Sequence, residues 1–77
     1  MKILFVKDKQ SGLVTVEPCD GDLTLEQANL RFRAGSGKEA VMISEENYSP
    51  VQLTPEFLEK VARDANTALA CASLSIF

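Results

Sequence analysis

Histidine and tryptophan are absent from this chain, and cysteine occurs twice. Without histidine the commonest general base and the commonest metal ligand are both missing. No nucleophile–base pair can then be assembled except around lysine, and no lysine here has a local partner for that work. Cys19 and Cys71 are fewer than the roughly four or more cysteines that staple small secreted domains. The apolar start MKILFVKD is interrupted by Lys7 and Asp8 far short of a signal-peptide core, and no segment approaches the ~20 apolar residues of a membrane span. The expectation is a cytoplasmic protein. Eight basic against eleven acidic residues leave a net charge of −3, so the chain as a whole exerts no pull on nucleic acid or anionic lipid.

What is present suits one small folded domain spanning residues 1–77. A hydrophobic share of 45% and a charged share of 25% are ordinary for a globular chain. A domain of this size buries only roughly 60% of the surface its unfolded chain exposes, so the core must be small.

Residues 2–7 and 12–18 read as two strands of a β-hairpin, joined by a polar loop containing Gly12. Pro18, which cannot donate to a ladder, is expected to end the second strand. CDGD, 19–22, is a turn. The next stretch, 24–34, carries two patterns. Thr24 and Gln27 have capping-box spacing, Leu25, Ala28 and Phe32 share a helical face, and Gly35 suits a left-handed helix end. Alternation of Leu30, Phe32 and Ala34 with two arginines reads instead as a strand, paired through GSGK with the strand at 39–44. The helix is preferred. EAVMIS, 39–44, is a strand on either reading, and its near-continuous apolar run places it centrally, buried on both faces.

After a loop at 45–53, Thr54 caps a helix that has Pro55 at its first position and Glu56 in its first turn. Leu58, Val61, Ala62, Ala65, Leu69 and Ala72 form its apolar face. Glu56–Lys60, Glu59–Arg63 and Lys60–Asp64 are spaced for ion pairs along the other. The fold class expected is therefore α+β in the order β-β-α-β-α, with β-β-β-β-α as the alternative. One sheet is to be covered by the C-terminal helix. Leu4, Val6, Val14, Val41, Ile43, Leu58, Val61, Ala65 and Leu69 are expected to be among the most buried residues.

RAGSGKEAVMI, 33–43, invites comparison with a phosphate-binding loop. The first glycine of that motif is replaced by Phe32, Lys38 is followed by Glu39 rather than a hydroxyl residue, and the glycines precede a strand instead of a helix. No nucleotide site is expected. DGDLTLE, 20–26, has the alternating acids of a calcium loop, but Leu25 and Arg31 stand where glycine and glutamate are required. Glu45–Glu46 and Glu56 with Glu59 read as solvated charge, since a chain this small has little room for a shaped cleft beside its core. Asp20 should raise the pKa of Cys19, and Cys71 reads as a small core residue. Neither a cofactor nor a metal is expected.

Lys2, Lys7, Lys9, Arg31, Arg33 and Lys38 are the basic residues a nucleic acid would meet, with Phe32 and Tyr48 for stacking. KEAVMISEENY, residues 38–48, resembles the strand-then-EEY segment of the Phd/YefM antitoxins, a likeness that implies operator DNA and a toxin as ligands. The chain departs from that family in its N-terminal hairpin and in lacking the paired strand with its intervening glycine. A DNA-binding regulator of antitoxin type is therefore the alternative function, and a small enzyme without histidine a third. The terminal SIF has the form captured by β-augmentation domains but reads more simply as a tail packed on the core. NYS, 47–49, matches a glycosylation pattern that a cytoplasmic chain does not use.

By elimination, the reading is a non-enzymatic protein-binding module acting as adaptor, inhibitor or accessory regulator. Arg31, Arg33, Lys38 and Tyr48 supply arginine and tyrosine anchors of the kind that dominate interfaces. Ala68, outside the stripe that must cover the sheet, would let a second helix approach closely, and a two-fold homodimer is the simplest such arrangement.

Overall fold

The computed structural model describes residues 1–32 and 35–74, with side chains through Cys71. Strand β1 (Lys2–Asp8) turns into β2 (Val14–Cys19) through a loop held by Asp8. Its Oδ1 accepts from the Gln10 and Ser11 amides at 2.8 and 3.3 Å, and its carbonyl accepts from Gly12 N–H at 2.8 Å. Gly12 sits at φ 76°, a conformation that a side chain would strain. This hairpin is the one expected from sequence.

Helix α1 (Leu25–Leu30) follows, then β3 (Lys38–Ile43) and α2 (Pro55–Leu74). The order is β-β-α-β-α in a single α+β arrangement. The capping box forms as spelled: Thr24 Oγ1 accepts from Gln27 N–H, and Gln27 Oε1 accepts from Thr24 N–H, both at 3.1 Å. The helix is shorter than expected, because Arg31 rather than Gly35 caps it. Arg31 and Phe32 N–H donate to Ala28 and Asn29 at 3.2 Å, tightening the last turn so that Phe32 swings back onto the core. Residues 33 and 34, which the strand alternative used, lie outside the described ones.

The sheet has the order β2-β1-β3, all antiparallel. This corrects the expectation for 39–44. β1 is the central strand and β3 an edge, with Val41 exposed and Met42 51% exposed. Its buried member is Ala40, and Ile43 is half-buried. A continuous apolar run signals two apolar faces, but whether each face is covered depends on where the helices land. The ladder to β1 also shifts register between Phe5 and Val6, opposite Ala40 and Met42, and so leaves Val41 as an extra residue at the edge.

Pro18 does not end β2. Hydrogen bonding of Asp8 N–H to the Leu13 carbonyl sets an alternation in which Val14, Val16 and Pro18 turn their backbones away from β1. Pro18 therefore lacks a donor where the ladder needs none, and the strand runs on to Cys19.

The two helices lie on opposite faces of the sheet. Alternate β1 residues Leu4 and Val6 join Cys19, Ala40 and α1's Ala28 in the core cluster, with Leu23, Phe32 and Ile43 packed around it. On the other face Phe5 and Met42 look toward α2. Thr54 caps α2, its Oγ1 accepting from Phe57 N–H at 3.1 Å. Leu58, Val61 and Ala65 are half-buried rather than buried, and Leu69 is 47% exposed. The Ala72 side chain lies outside the described ones. Cys71 is exposed, not a core residue, and neither cysteine is bridged. Of the three expected ion pairs, Glu59–Arg63 forms among the described residues, at 3.9 Å between exposed groups.

Candidate functional site

α2 packs against β2 and leaves the β3 side of its sheet face uncovered. An open groove of about 400 Å³ results, floored by Phe5, Val41 and Met42 and walled by Ala65, Ala68 and Leu69 of α2. No lining residue is charged. Geometry explains the gap. Strands ~4.8 Å apart make a three-stranded face roughly 14 Å wide, which one helix of ~10 Å diameter cannot cover from its edge.

Of the residues singled out from sequence, Ala68 falls in this groove. The others do not. Arg31 is exposed at the end of α1 and borders a separate depression with Asp20 and Asp22. Lys38 is exposed at the start of β3, directly across from Asp8. Both cations thus have carboxylate neighbours, and Lys9, whose N–H donates to the Gly37 carbonyl at 2.7 Å, stands next to Lys38. Arg33 lies outside the described residues.

Tyr48 is half-buried in a third depression beside Ser44 and Glu46. Its ring lies 5.7 Å from that of Phe57, and its hydroxyl donates to Glu46 Oε2 at 3.2 Å. Partial desolvation and this carboxylate push the phenol above its usual pKa. Its backbone ties the chain start to the loop. Tyr48 N–H donates to the Met1 carbonyl at 2.6 Å, and the Met1 amine donates back to the Tyr48 carbonyl at 2.7 Å. Cys19 is buried beneath α1, where burial first and Asp20 second push its thiol up, so it is not poised as a thiolate. Among the described residues no cluster of three or more histidine, cysteine or acidic side chains could hold a metal. No described helix is long and apolar enough to cross a membrane.

Two asparagines escaped the sequence reading. Asn66, in α2, accepts the Val14 amide on Oδ1 at 2.8 Å and donates Nδ2 to the Val14 carbonyl at 2.9 Å. Asn29, in α1, does the same at Ala40, with distances of 2.8 and 3.1 Å. Each Nδ2 also reaches the carbonyl four residues back, Ala62 and Leu25 respectively. An amide side chain so placed imitates one residue of a neighbouring strand, and it closes one position on each open edge of the sheet. A signal was available for Asn66. It sits beside Ala62 and Ala65 on the apolar side of α2, where an amide needs a specific partner.

Comparison with known proteins finds no matching family model, no matching curated protein and no matching solved structure.

Proposed function

We propose that this chain is a non-enzymatic protein-binding module, an adaptor, inhibitor or accessory regulator, whose binding surface is the groove between α2 and β3. The observation that carries the reading is that groove: apolar side chains of Phe5, Val41, Met42 and Leu69 around an open depression without a charge in its lining. A lining without polar groups does not orient a small substrate, whereas an apolar protein segment needs no such orientation. The occupant argued for is an amphipathic helix laid beside α2. It would cover the half of the face that α2 leaves open, and Ala65 and Ala68 would let its backbone come within the 8–10 Å of packed helices.

The test pairs two surfaces. Ala68→Glu and Met42→Lys should abolish retention of partner proteins by the immobilised chain, while Arg31→Ala with Tyr48→Ala should leave it intact. Sedimentation of the same variants separates a second copy from a foreign partner. If the wild type sediments as a dimer that Ala68→Glu dissolves, the helix in the groove belongs to another copy. If the groove variants change neither the retained proteins nor the sedimentation, the reading fails.

A further inference from the structure

The attachment of α2 differs from that of every other element, and we infer that it is a hinged cover: α2 swings off β2 as a unit while the sheet and α1 stay folded. None of its described side chains, Pro55 to Cys71, is buried, whereas each strand and α1 contributes at least one buried residue. Its packing is against β2, an edge strand. Among the described residues its polar link to the sheet is the Asn66 pair of hydrogen bonds at Val14. That pair acts as a latch.

A hinge is also present. Up to Tyr48 the connecting segment is tied to β1, through Ser44 N–H to the Ile3 carbonyl at 2.9 Å, Ile3 N–H to Ser44 Oγ at 2.8 Å and the reciprocal Met1–Tyr48 bonds. From residue 49 to 53 the bonds are internal: Gln52 N–H to the Ser49 carbonyl at 3.0 Å, Leu53 N–H to Pro50 at 3.3 Å, and Ser49 N–H to Gln52 Oε1 at 2.9 Å. Such a turn can rotate as a body without breaking a sheet contact. The Tyr48–Phe57 ring contact stands beside it and marks the pivot.

Opening releases the Val14 N–H and C=O and uncovers Ile3 and Val14, which at 1% and 4% exposure are the buried residues of the face they share with Phe5. The groove then becomes a full apolar face, so the latch would set how much of it a partner meets. That consequence rests on the binding role proposed above; the opening itself does not.

Hydrogen exchange read amide by amide tests the hinge. A lone helix in water is marginally stable, so an undocked α2 loses its protection. In the wild-type chain, α2 amides from Leu58 to Cys71 should exchange together, about tenfold or more faster than those of β1, Leu4 to Lys7. Asn66→Ala weakens only the closed state and should speed α2 and β1 exchange alike, about tenfold. Leu4→Ala, in the cluster under α1 that stays packed on opening, should instead speed β1 about tenfold or more and leave α2 unchanged. The inference is overturned if wild-type α2 and β1 share one protection level, if Leu4→Ala accelerates α2 as much as β1, or if Asn66→Ala prevents folding. Because exchange involves no partner, its failure leaves the groove reading standing. Groove variants that alter no association, in a chain with the expected exchange pattern, would sink that reading alone.

Discussion

Six residues of α1 and twenty of α2 stabilise the same sheet in opposite ways. α1 places one side chain, Ala28, fully out of water at 0% exposure, against Leu4, Val6, Cys19 and Ala40. α2 is more than three times as long, yet every one of its described side chains keeps some contact with water. Each helix is nonetheless fastened to its sheet edge by the same asparagine device. Length therefore does not measure a helix's share of the core. What counts is how much of the sheet face each helix seals: on the Leu4 face Leu4, Val6 and Ala40 are all buried, whereas on the Phe5 face Ile3 and Val14 are buried and the β3 side at Met42 stays open.

The largest effect should separate these two faces. Leu4→Ala removes a side chain that is 1% exposed and is expected to cost about 2–5 kcal/mol in urea unfolding. Leu69→Ala, on the α2 wall of the groove, should cost under about 1 kcal/mol. Comparable losses would mean that α2 belongs to the main core after all.

Next come the two asparagines. Asn29→Ala and Asn66→Ala each strand one N–H and one C=O of an edge strand, at about 1–3 kcal/mol when those groups stay buried. The global unfolding free energy should drop by that amount for Asn29→Ala and by less for Asn66→Ala, since an undocked α2 lets water reach Val14. Equal drops would erase the distinction between the helices.

Cysteine chemistry gives a smaller contrast. An alkylating reagent at neutral pH should modify exposed Cys71 and spare buried Cys19 until the chain unfolds. The Cys19 pKa is raised above its ordinary 9.0 by burial and then by Asp20, so the unfolded chain loses that proton first as pH rises. Its contribution to stability is thus constant below about pH 9 and is lost as the pH climbs toward the raised folded value. Cys19→Ser should flatten this alkaline decline in a stability–pH series.

Smallest of all are the solvent-facing changes. Pro18→Ala, at a position whose backbone faces away from β1, and Arg63→Ala, which breaks an exposed pair, should each stay within ~0.5 kcal/mol of wild type. A larger loss on Pro18→Ala would show that the open edge of β2 needs its missing donor.

The amino-acid sequence by itself determined the elements and their order. Gly12 in the hairpin loop, the Thr24–Gln27 box and the Thr54-Pro55 start act within a few residues of themselves, so their meaning does not wait for the fold. The absence of histidine likewise narrows chemistry without any structure. Only the tertiary structure decided that β1 rather than β3 is central, that Ala40 rather than Val41 is buried, and that Asn29 and Asn66 seal the sheet edges. Each of these depends on partners distant along the chain. An apolar run records that a strand can be covered on two faces, but strand order and helix placement decide where cover is present. Here α2 settles over β2, and the groove beside Ala68 and Met42 is what remains.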